Sequence, residues 1–181
     1  MTNNCIDLNL KIDPVSLKMR NILKEGYQTA IKLDDLNPIL IKVLEKHNIY
    51  ISYAEAFYSE PNFVHPIHTD NLGGDYVKLN YIYGGEGSIM KWYKVKPDSI
   101  SVGEKFSPGT TSTSYIPWLD HQVECIQTSP VGFPSIVQVG CPHNIVNASE
   151  PRLCITLLLY DPVIGRLSMA DACDRLSKFI I

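Results

Sequence analysis

YVKLNYIYGGEGSIMKWYKV, running from Tyr76 to Val95, holds two strand patterns back to back. Its halves, 76–83 and 88–95, are rich in Tyr, Ile, Val and Trp, side chains that suit a pleated, half-buried surface. Gly84-Gly85-Glu86-Gly87 between them reads as a hairpin turn. Outward from this stretch, similar runs lie at 49–58, 64–69, 112–116, 122–127, 135–139 and 152–160. They are parted by Pro61-Asn62, Gly73-Gly74, Pro108-Gly109 and Gly140-Cys141-Pro142. Seven or eight short strands over 49–160 predict a sandwich or barrel.

Helices are expected on either side. Val15, Met19, Ile22 and Leu23 fall at helical spacing, and Asn37 before Pro38 makes an N-cap with proline at the first helical position, so 14–47 reads as helical. Ser168 and Asp171 form a capping-box pair ahead of an apolar stripe of Ala170, Cys173, Leu176 and Ile180, which predicts a packing helix over 168–180. A length of 181 residues fits one domain, read as 1–181, and suffices to bury about two-thirds of the unfolded surface.

Charge narrows the partners. Sixteen Lys and Arg against 19 Asp and Glu give a net charge of −3, so no basic excess exists to grip phosphates, and nucleic acid is disfavoured. No apolar run reaches the ~18 residues of a membrane span, and no basic-then-apolar leader opens the sequence. Cys5, Cys125, Cys141, Cys154 and Cys173 are odd in number and scattered, which reads as reduced thiols in a cytoplasmic protein.

The chemistry concentrates in two short blocks. His68 and Asp70, in PIHTDN, stand at i and i+2, so an extended segment sends both side chains to one face. His143, in GCPHNIVN, is the candidate third ligand from another strand. Two imidazoles and a carboxylate are the facial triad of non-heme Fe(II) oxygenases, with three positions left open. His-x-Asp alone also arises by chance. Arg152 adds to it. Alternation along Arg152-Leu153-Cys154-Ile155-Thr156 puts Arg152, Cys154 and Thr156 on one face and Leu153, Ile155 and Leu157 on the other. A guanidinium inside a barrel is costly unless it meets an anion. Its planar fork, with a nearby hydroxyl, would suit the far carboxylate of a dicarboxylate cosubstrate. The plainer alternative is a strand-start arginine paired with Glu150 or another surface acid.

Together these residues resemble the Fe(II)/2-oxoglutarate-dependent dioxygenases. Pro66 to Val95 is similar to the short oxygenases of bacteria and phages, which run Ile-His-x-Asp, an Asn-bearing strand, a Gly-rich hairpin and a strand ending in Trp-Tyr. Pro142 to Leu159 is similar to their distal block, which runs His, a short apolar piece, Asn, then Pro-Arg with Ser or Thr four residues on. The resemblance implies a mainly β double-stranded β-helix, the jelly roll or cupin-like barrel, flanked by N-terminal helices and a C-terminal helix. It implies Fe(II) on His68, Asp70 and His143, and 2-oxoglutarate reaching Arg152 with Thr156 helping and Asn80 nearby. It implies hydroxylation of a small-molecule or peptide substrate by dioxygen, with release of succinate and CO2. Tyr81-Ile82 stands where relatives often have Ile-Pro, and Thr156 where Ser is commoner.

Other marked residues have plainer readings. Trp92 and Tyr93 read as core, with a substrate-facing wall as the alternative. Cys141 and Cys154 read as small buried hydrophobes, and a zinc site through Cys141 and His143 lacks a Cys-x-x-Cys pair. His47, His65 and His121 read as surface or structural. Loops 97–111 and 117–121, or Trp118 itself, are expected to cover the mouth of the site. Two other functions share the pattern: a non-oxidative cupin-like binding protein or isomerase, and an inactive family member. The sequence leaves substrate and oligomeric state open.

Overall fold

A computed structural model describes residues 3–70, 74–106 and 114–181. In chain order its elements are β1 (Cys5–Asp7), α1 (Leu17–Leu23), β2 (Gln28–Ile31), α2 (Pro38–Glu45), β3 (Tyr50–Ser59), β4 (His68–Asp70), β5 (Val77–Gly84), β6 (Ile89–Val95), β7 (Lys105–Phe106), β8 (Ser114–Pro117), β9 (Val123–Pro130), β10 (Ser135–Gln138), β11 (His143–Val146), β12 (Arg152–Asp161), β13 (Gly165–Arg166) and α3 (Met169–Arg175).

The fold is mainly β, in two antiparallel sheets consistent with a β-sandwich. Among the described residues one sheet runs β1-β10-β5-β12-β3-β2, with β13 on β12, and the other runs β7-β8-β4-β11-β6-β9. Directly paired residues share a face, so register decides what meets across the sheets. In β12, Leu153, Ile155, Leu157 and Leu159 point away from the second sheet into a core with Leu23 of α1, Leu40 and Leu44 of α2, and Ala172 of α3. The helices therefore back the first sheet, and each fully buried Leu or Ile there contributes about 1.5–3 kcal/mol. Arg152, Cys154 and Thr156 face the other way, as alternation requires. A smaller cluster including Tyr76, Met90, Trp92, Val137 and Val139 fills part of the space between the sheets.

Several expectations are corrected. Gly84 to Gly87 does not close a hairpin: β5 pairs with β10 and β12, whereas β6 pairs with β9 and β11, so the turn carries the chain from one sheet to the other. Local glycine chemistry specifies a tight turn, and Ser88 N–H does donate to Gly85 O at 2.9 Å. The exiting direction is set by the apolar faces that the two strands must bury. The zone 14–47 is not wholly helical, because β2 lies within it and pairs with β3. Asn37 caps α2 as expected, accepting from Ile39 N–H at 3.0 Å. The Ser168–Asp171 capping box forms, but α3 ends at Arg175 and a 3-10 turn, Ser177–Phe179, replaces its last turn. β1 and β11 are strands that the patterning did not predict. The 112–116 run is β8 from Ser114, and its first two residues lie outside the described residues, as do Gly73, Pro108-Gly109 and 107–111 of the polar loop. Among the described residues no helix is long and apolar enough to cross a membrane.

Candidate metal centre and anion site

His68 and Asp70 sit at the two ends of β4, on one face, and His143 opens β11 directly opposite His68. Asp70 Oδ1 lies 3.4 Å from His68 Nε2 and 3.9 Å from His143 Nε2. One potential ligand atom from each of the three residues lies within 4.8 Å of the others, so the group could hold a metal ion. Donors about 2.1 Å from one ion and at right angles to each other are ~3 Å apart, close to this spacing. Both rings are fixed from behind. His68 Nδ1 is 2.9 Å from Pro66 O, and His143 Nδ1 is 2.9 Å from Cys141 O. A carbonyl only accepts, so each Nδ1 carries the proton and each Nε2 presents its lone pair to the site. Burial pushes the His143 pKa down to about 4, reinforced by His68, so this imidazole is neutral at pH 7.

Behind the triad stands Lys78, which sequence reasoning missed. Its Nζ is 2.7 Å from Asp70 Oδ2 and 3.4 Å from Glu55 Oε1. Glu55 is fully buried and also accepts from Gln28 Nε2 at 2.8 Å and Tyr53 OH at 3.3 Å. Burial alone would raise the Asp70 pKa, but Lys78 and then His68 outweigh it and hold the carboxyl below the usual range. Burial would lower that of Lys78, and Asp70 and Glu55 outweigh it in turn. Lys78 thus occupies Oδ2 and leaves Oδ1 turned toward the histidines. Two signals were present in the sequence: Lys78 is two residues before Asn80 on an alternating strand, and Glu55 is the lone acid in an apolar run.

Arg152 is 2% exposed, and no ion pair joins it to Glu150 or to any other acid among the described residues. Arg152 Nε, Thr156 Oγ1 and Asn80 Oδ1 are buried with no hydrogen-bond partner among the described residues. Thr156 and Asn80 are direct cross-strand neighbours, with Glu55 on the other side of Thr156. Glycine sets the place of Arg152: Gly85 has φ +66°, and a Cβ there would stand 2.7 Å from Arg152 Cβ. Asn147 secures the loop before β12, donating to Glu60 O at 2.6 Å and Glu150 O at 3.2 Å and accepting from Ser88 Oγ at 2.8 Å. The structure thus brings His68, Asp70, His143, Arg152, Thr156 and Asn80 to one cavity of about 100 Å³. That is well below the ~300–1,000 Å³ of sites that enclose drug-sized ligands, so it has room for a small ligand only.

Neighbouring residues divide. His65 lines the same cavity, with Nε2 2.8 Å from Ser59 Oγ, so it is part of the site and not merely structural. Burial, followed by Arg152, pushes its pKa down to about 4. Trp92 is core, fully buried and donating to Gln138 O at 2.8 Å. Tyr93 donates to Asn144 Oδ1 at 3.0 Å. Trp118 does not cover the mouth: it donates to Thr69 Oγ1 at 2.9 Å, and Thr69 alternates to the face opposite His68 and Asp70. Tyr115, paired with Asp70, is an aromatic beside the site, its ring 5.8 Å from that of His68. Cys141 supplies a carbonyl to His143, while burial pushes its thiol up to about 11, against a role as thiolate ligand. All five cysteines are free. His47 packs on Phe179, and the His121 carbonyl accepts from Lys96, both outside the cavity. No protein-family model matches the chain, and no curated protein matches it.

Proposed function

We propose that this chain is an Fe(II)- and 2-oxoglutarate-dependent dioxygenase that hydroxylates a small molecule or a peptide side chain. The observation that carries the reading is a two-histidine, one-carboxylate group sharing a cavity with a buried arginine that has no counter-ion among the described residues. In the overall reaction a substrate C–H, O2 and 2-oxoglutarate become C–OH, succinate and CO2. One oxygen atom ends in the hydroxyl and the other in succinate. Iron held by His68, Asp70 and His143 would supply the redox chemistry. The Nδ1 hydrogen bonds orient the two rings, and Lys78 keeps one Asp70 oxygen for the metal. Arg152 and Thr156 would donate to the distal carboxylate, with Asn80 beside them, which removes the cost of their unmet hydrogen bonds.

A jelly roll is the finer fold reading. β3, β4, β5, β6, β9, β10, β11 and β12 divide four to each sheet, ordered β3-β12-β5-β10 and β4-β11-β6-β9. That is the order of eight strands folded as one long double ribbon, and it supports the proposal. Five free thiols are in keeping with a reducing cytoplasm.

Anaerobic addition of Fe(II) and then 2-oxoglutarate tests the activity class. A visible charge-transfer absorption is expected in the wild type and is lost in His68→Ala. Arg152→Ala should need far more 2-oxoglutarate while its iron affinity holds. A folded wild type with no such absorption would overturn the proposal. One observation favours a second reading, a metal-free anion-binding protein: Lys78 already neutralises Asp70. That reading requires 2-oxoglutarate to bind equally well with and without metal.

A further inference from the structure

A second cavity, of about 250 Å³, adjoins the metal site and shares Phe57, His65 and His68 with it. Its outer wall is aromatic. Tyr27 and His65 stack at 25° with ring centroids 6.3 Å apart, and Phe63 stands edge-on to both, 6.3 Å from Tyr27 and 4.8 Å from His65. Tyr115 closes the side next to His68. The remaining lining residues, Gln28 and Pro66, are uncharged, and among the described residues no Asp, Glu, Lys or Arg borders the space. Tyr27 is 48% exposed and Phe63 38%, in a molecule that had a core available for both. These rings come from separate segments, before β2, after β3 and on β8, so the trough is assembled by the fold.

We propose that this trough is the substrate subsite and that it takes an uncharged aromatic ring borne by a small molecule, leaving the group next to the ring at the His68 side of the metal site. The proposal rests on the oxygenase reading for what happens to that group, but not for the recognition of the ring. Edge-to-face and offset stacking recognise a flat ring. An ammonium group would also be drawn to ring faces, but among the described residues the lining offers it no carboxylate to balance its charge. A carboxylate-bearing group would likewise meet no cation in the lining. A space of this size fits one ring and not an extended chain.

Titration of isotope-labelled, metal-free protein with p-cresol, tetramethylammonium and n-butanol, followed by NMR, tests ring recognition. The ring is expected to bind at least about tenfold more tightly than either control, shifting resonances of Tyr27, Phe63 and Tyr115. Phe63→Ala and Tyr27→Ala, both at partly exposed positions and so expected to fold, should each weaken p-cresol about tenfold. Tetramethylammonium or butanol binding as well as p-cresol would overturn the proposal, as would p-cresol binding that both variants leave unchanged. Mn2+ added afterwards should broaden the bound p-cresol signals, and Mn2+ that binds at His68 without broadening them would overturn the link to the metal site. Mn2+ failing to bind at all would sink the oxygenase reading while leaving ring recognition measured.

Discussion

Two buried cations in one cavity have opposite energetic standing, and side-chain substitutions separate them. Lys78 is doubly paired, with Asp70 and Glu55. Lys78→Met leaves two buried carboxylates without their cation and should cost about 3–5 kcal/mol. A divalent metal should restore part of that loss by standing beside Asp70, as read by denaturant unfolding with and without Mn2+. A variant as stable as the wild type would mean that the pairing contributes nothing. Arg152 is buried with Nε unpartnered. Arg152→Met should therefore be neutral or stabilise the ligand-free protein by about 1 kcal/mol, while weakening 2-oxoglutarate binding at least a hundredfold. Strong destabilisation by Arg152→Met would show that the guanidinium is structural.

Among the elements, β12 joins core to site: its odd-numbered residues from Leu153 to Leu159 pack under the helices, and Arg152 and Thr156 reach the cavity. Its approach depends on the turn between β5 and β6. Gly85→Ala combines φ +66° with a 2.7 Å clash against Arg152 Cβ. It should cost about 1–3 kcal/mol and loosen anion binding more than metal binding, which calorimetry on both ligands would check. Equal loosening of the two would place the turn's effect elsewhere. This alternation was legible in the sequence because period-two patterning fixes a strand's faces wherever both are buried. So were the facing of His68 with Asp70 and the Asn37 cap. The turn's outcome was not, because Gly-Gly-Glu-Gly states only that the chain bends and not which sheet receives the next strand. β1, β2 and β11 were missed because strands of three or four residues carry too short a pattern. Lys78 and Glu55 escaped notice because their partners are far away in sequence, and Trp118 was misplaced because its partner Thr69 faces away from the ligands.

At the scale of the whole molecule, acid should unfold the metal-free protein in a defined window. His65 and His143 have native pKa values of about 4 against a usual 6.5. Between those values the unfolded chain takes up protons that the native state refuses, so stability is full above pH 6.5 and falls as pH drops toward 4. A shift of this size corresponds to about 3 kcal/mol per group. Thermal melts from pH 7.5 to 4 should show the decline, and His65→Asn should reduce it. A flat profile would contradict the buried, neutral state of both rings. Convergence of three ligands and one arginine on a single metal–anion pair is tested most directly by a crystal structure of the protein loaded anaerobically with Fe(II) and 2-oxoglutarate. Anomalous scattering should locate iron bonded to His68 Nε2, Asp70 Oδ1 and His143 Nε2, with the distal carboxylate of 2-oxoglutarate on Arg152. Iron bound elsewhere, or a dicarboxylate that leaves Arg152 without an anion, would contradict it.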